Sequence, residues 1–139
     1  MELPTITRLV TWENMVEFER VVWDRGKNSH NDPEAAQRDG LSKPIASGQT
    51  QMAVIHEVLE RNFGDGWVYG GKISVRWIRP VYAGDSITPH LRVKELTKEE
   101  GRTRVVLEVW CENQNGDQTA VGTAWTFEPS PLRSWLEET

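Results

Sequence analysis

The chain has 139 residues and a formal net charge of −5, from 16 basic and 21 acidic residues. Hydrophobic residues make up 37% and charged residues 27%, a balance typical of folded globular proteins that excludes a disordered chain. The acidic excess argues against nucleic acid as the main partner, because no basic stripe is available to neutralise phosphates. The single cysteine excludes an intrachain disulfide framework and favours a reducing compartment.

Length predicts one domain over residues 1–139. No apolar run approaches the roughly 18 residues of a membrane span, and the N-terminus lacks the basic-then-apolar pattern of a secretory signal. We therefore expect a soluble, cytoplasmic protein. The seven tryptophans favour core and subunit-interface roles because of their large apolar area, and the alternative is that one or two line a ligand slot.

Apolar residues at helical spacing predict three helices, over residues 12–23, 33–38 and 48–63. Thr11 is a suitable N-cap for the first helix, and Asp32 followed by Pro33 is a good start signal for the second. In the third helix, Ala53 and Val54 extend the apolar surface beyond one stripe. This pattern predicts a helix that is buried rather than lying on a surface.

After residue 71 the apolar period changes from 3.6 to 2. This pattern predicts four strands, over residues 72–77, 87–96, 104–113 and 118–127. The last two are joined by Asn115-Gly116-Asp117, a strong hairpin signal, and a further strand within residues 5–10 would complete the sheet. The expected fold is α+β, an antiparallel sheet wrapped around the long helix.

The segment over residues 24–49 leads from the first predicted helix to the third and holds most of the candidate catalytic residues. His30 is close in sequence to both Asp24 and Asp32, so an imidazole and a carboxylate are expected to share one pocket. The segment leads directly into the third helix, whose free N–H groups favour negative charge in front of them. An acid/base pair facing a helix N-terminus suits chemistry on a carbonyl that becomes an oxyanion.

Three short sequences then carry a family resemblance. Residues 30–36 read His-Asn-Asp-Pro-Glu-Ala-Ala, residues 40–48 read Gly-Leu-Ser-Lys-Pro-Ile-Ala-Ser-Gly, and residues 75–85 read Val-Arg-Trp-Ile-Arg-Pro-Val-Tyr-Ala-Gly-Asp. In this order they resemble the MaoC-like family of (R)-specific enoyl-CoA hydratases and acyl dehydratases. The resemblance implies the hot-dog fold of that family, which agrees with the sheet and helix predicted from periodicity.

The resemblance also implies a catalytic Asp/His pair, and the histidine carries over to His30. The position of the family's aspartate is occupied by Arg25, which cannot act as a base. We interpret this as a one-residue insertion in the loop that leaves Asp24 as the partner of His30. The alternatives are that Asp32 substitutes or that the pair is broken. A second departure is Ser47, where the family commonly carries histidine before the glycine.

In such an enzyme, hydration of an enoyl thioester places negative charge on the thioester oxygen. The backbone N–H of Gly48, at the start of the third helix, is the candidate donor to that oxygen. The resemblance implies that Asp24 and His30 hold the attacking water, and the sequence does not decide which is the acid and which the base. No cofactor is expected, and no metal, because His90 has no second ligand at metal spacing. His56 is expected to be structural and Cys111 to be a packing residue.

The implied substrate is an acyl-CoA or an acyl-carrier thioester of fatty acid metabolism, with no nucleic acid and no membrane as partner. A homodimer, or a higher oligomer of dimers, is expected because a single sheet leaves an edge to cover, and the segment around Trp135 is expected to join that contact. Two alternative functions remain. One is an acyl-CoA thioesterase on the same fold, and the other is a non-catalytic hot-dog subunit that completes a partner's site, suggested by Arg25.

Overall fold

Residues 1–129 are described by the computed structural model. The helices are α1 (Trp12–Phe18), α2 (Pro33–Arg38), α3 (Gly48–Phe63) and α4 (Asp65–Gly70), and a π-helical segment (Glu19–Trp23) continues α1. The strands are β1 (Arg8–Leu9), β2 (Lys72–Trp77), β3 (Ser86–Glu99), β4 (Arg102–Glu112) and β5 (Gln118–Phe127). None of the helices in this part of the chain is long and apolar enough to cross a bilayer.

The strands form one antiparallel sheet in the order β1-β3-β4-β5-β2. The β4–β5 hairpin turns where predicted, and the Asn113 side-chain oxygen accepts hydrogen bonds from the Asn115 and Asp117 amides. The predicted strand within residues 5–10 is reduced to β1, two residues paired to the start of β3. Because β2 is the last strand of the sheet, its outer edge pairs with no other strand of residues 1–129.

The sheet curves around α3, and the core lies between them. On the helix, Ile55, Val58 and Leu59 are buried, and Leu91 and Leu107 of the sheet belong to the same core. This arrangement confirms the predicted α+β hot-dog architecture.

The expectation that α3 is apolar over more than one stripe is wrong on its outer side. Ala53, His56 and Glu60 are exposed there. These residues recur every three to four positions, so they form one continuous helix face. The sheet covers only the opposite face.

The predicted N-caps Thr11 and Asp32 are confirmed, because each accepts a backbone amide hydrogen bond at its helix start. Ser47 caps α3 in the same way. Helix α4 was not predicted, since glycines at both ends of a short segment are a turn signal. Gly66 allows the packing of α4 on the sheet, because a Cβ there would lie 2.1 Å from the Phe127 carbonyl oxygen.

The predicted helix over residues 12–23 is continuous in the chain but changes its winding at Glu19. The Asp24 amide donates to the Glu19 carbonyl over 2.8 Å, an i→i+5 bond that closes a π turn. Glycine is the residue type favoured at a left-handed helix end, and Gly26 is the first glycine after this helix in the sequence. Asp24 takes this role instead, with φ 47° and ψ 46°, and Gly26 follows with φ 76°.

Candidate active site

The loop that carries His30 is held by asparagine side chains. Asn28 Oδ1 accepts from the His30 amide over 2.8 Å, and Asn31 Oδ1 accepts from the Asn28 amide over 2.7 Å. Asn31 Nδ2 also donates to the Gly26 carbonyl. Asn side chains that satisfy nearby backbone groups are a common way to fix an irregular segment. The position of His30 is therefore set by local hydrogen bonds.

The imidazole of His30 is half-buried, with 24% of its side chain exposed. Its Nδ1 lies 2.9 Å from the carbonyl oxygen of Ile45. A carbonyl oxygen only accepts, so Nδ1 must carry the proton and donate it. In the neutral ring this leaves Nε2 as the unprotonated atom. The Ile45 carbonyl thus selects the tautomer in which Nε2 is available as a base.

The start of α3 supplies backbone donors. The Ser47 hydroxyl accepts from the Gln49 amide, and the Ser47 carbonyl accepts from the Thr50 amide. The Gly48 amide, the first of the helix, has no intrahelical acceptor. The chain before it is anchored by a hydrogen bond of 2.7 Å from the Ala46 amide to the Val81 carbonyl. Gly48 therefore presents a positioned N–H at the positive end of the helix.

His30 and Gly48 line the same cavity, which has a volume of about 420 Å³. Its other walls come from α3, from the loop before α3 and from the end of β2 with the residues that follow: Leu41, Ile45, Ala46, Gln51, Trp77, Ile78, Arg79, Pro80 and Val81. The indole of Trp77 packs so closely on Gly48 that a Cβ there would lie 2.5 Å from the indole nitrogen. Two of the three predicted site residues are thus brought together.

Asp24 is not in that cavity. It is exposed, and it lines a separate cavity with Arg20, Arg25 and Asp32 among its walls. The expectation that Asp24 and His30 share one pocket is therefore not met. The physical reason is the π turn, which ends at Asp24 in a left-handed conformation. Asp32, the predicted alternative partner, caps α2 by accepting from the Ala35 amide over 3.0 Å.

The carboxylate nearest to His30 is one that the sequence analysis did not select. Glu19 is only 1% exposed, and its Oε1 lies 3.9 Å from His30 Nε2. Arg25 Nη2 lies 3.2 Å from each of the two carboxylate oxygens of Glu19. The sequence did hold a signal, because Glu19 follows Met15 by one helical turn and both lie on the buried face. A charged residue on that face required a partner.

Gln51 is a second residue that the sequence analysis missed. It is 3% exposed, it lines the cavity, and its Oε1 accepts from the Thr119 hydroxyl over 2.8 Å. With its oxygen engaged by Thr119, the amide nitrogen is the free end of the side chain. Gln51 therefore adds a fixed polar group to a cavity whose walls are otherwise largely apolar.

The remaining candidates have structural roles. His56 Nδ1 accepts from the Trp67 indole over 3.0 Å. His90 stacks on Trp110 and lies between two carboxylates. Burial raises the pKa of the Cys111 thiol to about 12, which keeps it neutral and unreactive. Within residues 1–129, no three His, Cys, Asp or Glu side chains are grouped to hold a metal ion.

The family of the chain is decided by a match of residues 5–116 to the model of the MaoC-like domain. The chain belongs to the MaoC-like dehydratase domain family. This membership agrees with the three short sequences and with the curved sheet around α3. No curated protein matches the chain.

Solved structures of MaoC-like proteins are similar to this MaoC-like domain. The R-hydratase PhaJ1 of Pseudomonas aeruginosa is 25% identical, with a TM-score of 0.76 over 94% of this chain and 81% of that chain. An (R)-hydratase from A. caviae involved in PHA biosynthesis is 18% identical, with a TM-score of 0.73 over 94% and 95%. The HadBC 3R-hydroxyacyl-ACP dehydratase complex of Mycobacterium tuberculosis is 20% identical, with a TM-score of 0.65 over 91% and 92%.

Proposed function

We propose that this MaoC-like domain catalyses the reversible addition of water to the double bond of an enoyl thioester, and the reverse dehydration of a 3-hydroxyacyl thioester. The observation that carries the proposal is the cavity that His30 and Gly48 both line. A base and an oxyanion donor facing one space are the two elements that this reaction requires.

The proposed reaction is balanced with one water molecule. His30 Nε2 takes a proton from the water as its oxygen adds to Cβ, and negative charge moves to the thioester oxygen. The Gly48 N–H holds that oxygen, which is worth about 3 kcal/mol for donors of this kind. A proton is then delivered to Cα as the charge returns, and the imidazolium formed in the first step is a suitable donor. No oxidant, reductant or cofactor is needed.

The sequence-based proposal that Asp24 assists His30 is tested by the variant Asp24→Asn. If Asp24 takes part, it must reach His30 from the separate cavity that it lines. In that case the variant loses turnover to the same degree as His30→Ala. A small effect assigns the carboxylate role elsewhere.

The proposed substrates are thioesters of CoA or of an acyl carrier protein, in fatty acid metabolism. The similarity to an R-hydratase at 25% identity supports the hydratase class, and a 3R-hydroxyacyl-ACP dehydratase is among the similar folds. Arg79 lines the cavity and offers a positive charge that suits a phosphate-bearing carrier.

We also propose a homodimer, or a higher oligomer of dimers, formed at the open edge of β2. Trp77 and Ile78 lie at the end of this strand and are 43% and 46% exposed. Both also line the cavity, so covering them would complete its wall. A heteromeric assembly is the alternative, because similar folds include the ChsH1–ChsH2 and HadBC complexes. The predicted contribution of the segment around Trp135 lies outside the described residues.

The test uses the purified full chain with crotonyl-CoA and longer enoyl-CoA substrates. Hydration is expected to remove the ultraviolet absorbance of the conjugated thioester, with no release of free CoA. His30→Ala is expected to lower kcat by about 10²–10⁴-fold while the far-ultraviolet circular dichroism is unchanged. Activity at the wild-type level in this variant would refute the assignment of His30.

Two outcomes would favour the alternative functions. Release of free thiol without loss of the double bond would indicate an acyl-CoA thioesterase. Inactivity of the chain alone, together with co-purification of a second hot-dog chain, would indicate a non-catalytic subunit. The second alternative is supported by Arg25, which occupies the position of the family's aspartate and pairs with Glu19.

A further inference from the structure

Packing of the fold does not explain why position 19 carries a buried carboxylate. A carboxylate that is 1% exposed loses its hydration, which is costly unless it is paired. Two basic groups approach it, Arg25 over 3.2 Å and His30 Nε2 over 3.9 Å. We propose that Glu19 is the acidic positioning partner of His30, held in place by Arg25. This inference rests on the proposed hydratase function.

The orientation of the His30 ring indicates how Glu19 acts on it. Nδ1 is held by the Ile45 carbonyl, so the ring turns Nε2 toward the Glu19 carboxylate. The charge that appears on the imidazole when it accepts a proton is then close to a fixed negative charge. At 3.9 Å the two atoms are too far apart for a hydrogen bond. Contacts of this kind tighten when the substrate binds.

Arg25 pairs the buried carboxylate and holds it in place. Its Nη2 donates to both Glu19 oxygens, while the guanidinium also lies 4.9 Å from the centre of the Trp23 ring. Half of the Arg25 side chain is exposed. The arginine therefore holds the carboxylate from a partly exposed position, while His30 Nε2 approaches the Oε1 atom of the same carboxylate. A carboxylate whose two oxygens both accept from a guanidinium group keeps its orientation better than an unpaired one.

Glu19 acts through His30 rather than on the substrate, because it does not line the cavity shared by His30 and Gly48. It lines instead the neighbouring cavity that also holds Asp24. As in a Ser-His-Asp triad, a fixed carboxylate stabilises the charged form of the imidazole, but here the carboxylate approaches Nε2 while the Ile45 carbonyl holds Nδ1. Glu19 thus places a carboxylate beside His30, as the sequence resemblance implied for Asp24, but it acts on the imidazole rather than on the attacking water.

The central experiment compares Glu19→Gln with Glu17→Gln in the full chain. Glu17 is a matched control, because it forms a pair with Arg20 on the same helical region but is 59% exposed. Glu19→Gln keeps the size and hydrogen-bonding capacity of the side chain and removes its charge. We expect kcat for crotonyl-CoA hydration to fall about 10²–10³-fold with KM changed less than about threefold. Glu17→Gln is expected to leave both constants unchanged.

A rescue variant separates the charge from the packing. Glu19→Asp restores the charge on a shorter side chain, and we expect its kcat to be at least about tenfold higher than that of Glu19→Gln. Equal kcat values for Glu19→Gln and the wild type would overturn the proposal. So would equal losses in Glu19→Gln and Glu19→Asp, since these would indicate packing alone. A full loss in Asp24→Asn with an active Glu19→Gln would return the role to Asp24.

If the wild type hydrates no enoyl thioester, the proposed function fails. A second measurement tests the role of Glu19 even in that case. In protein labelled with ¹⁵N histidine, the Nδ1–H of His30 is followed through its hydrogen bond to Ile45. If Glu19 positions the ring, Glu19→Gln will exchange this proton with water at least about tenfold faster than the wild type, and Glu17→Gln will not. An unchanged exchange rate in Glu19→Gln would overturn the positioning role whatever the reaction.

Discussion

Replacing Gly48 with alanine tests the close contact on which the oxyanion site depends. A Cβ at this position would lie 2.5 Å from Nε1 and 2.6 Å from Cε2 of the Trp77 indole. Ordinary contacts between carbon atoms are about 3.5–4.0 Å, so the indole must move by about 1 Å or rotate away. Gly48 lies outside the left-handed region, so alanine brings no backbone strain. The perturbation is therefore confined to the helix start and the cavity wall.

The magnitudes separate an effect on stability from an effect on the reaction. Overpacking costs about 1–3 kcal/mol, and the lower end applies because Trp77 is 43% exposed and can yield. Alanine recovers roughly 0.5–1 kcal/mol through its higher helix propensity. The free energy of unfolding should thus fall by no more than about 2 kcal/mol. Displacing the Gly48 amide from the thioester oxygen should raise the activation free energy by about 3 kcal/mol, which lowers kcat roughly 10²-fold.

The assay combines urea unfolding with crotonyl-CoA hydration for Gly48→Ala, Trp77→Ala and the double variant. Removing the indole makes room for the new methyl group, so the stability cost of Gly48→Ala should disappear in the Trp77→Ala background. A Gly48→Ala variant with wild-type stability and wild-type kcat would refute the reasoning. A stability cost that is the same in both backgrounds would show that Trp77 is not the group that is displaced.

Three further predictions concern the frame of the site. Gly122→Ala should lower the free energy of unfolding, measured in urea, by at least about 3 kcal/mol. The new Cβ would lie 2.0 Å from the Ser74 backbone oxygen, which cannot move aside as a side chain can. A near-neutral result would contradict the register of β2 on β5. Thr119→Val should cost about 1–3 kcal/mol by leaving the Gln51 oxygen unpaired, and Gln51→Leu added to it should regain part of that loss. Burial raises the pKa of Cys111 to about 12. The thiol has a pKa of about 8.5 in the unfolded chain, so its contribution to the free energy of unfolding is complete below that pH and falls as the pH rises above it. Alkylation at pH 9 should therefore be slow in the native protein and fast in urea.

The sequence predicted the elements of this fold well where one signal dominated. Helix α3 and strands β2 and β5 have the predicted bounds, because long periodic segments end at clear turn signals. Strand β3 extends past the predicted Leu96 to Glu99. Its exposed end pairs with β4 through backbone hydrogen bonds, and periodicity does not report these. Helix α4 was missed because tertiary packing of Gly66 on the sheet overrides its weak helix propensity.

The proximity of His30 to Gly48 was predictable from the sequence. His30 was selected mainly through the family resemblance and Gly48 as the first residue of an apolar helix, and the structure brings both to one cavity. Gln51 and Thr119 were not identified. They are far apart in sequence, and only the pairing of β5 with β4 and the packing of α3 bring them within 2.8 Å. Contacts between distant elements carry no local sequence signal.

Asp24 lies away from the cavity of His30 for a different reason, which is the winding of one helical turn. The sequence position of Asp24 locates its side chain in space only if every turn of the preceding helix has the α-helical 3.6 residues. Here the Asp24 amide reaches back to the Glu19 carbonyl, so one turn contains an additional residue. That turn ends with Asp24 exposed and leaves Glu19 buried beside His30. The same additional residue brings Arg25 back over Glu19. A π turn at this position therefore accounts both for the arginine in the family's aspartate position and for a buried acid one turn earlier.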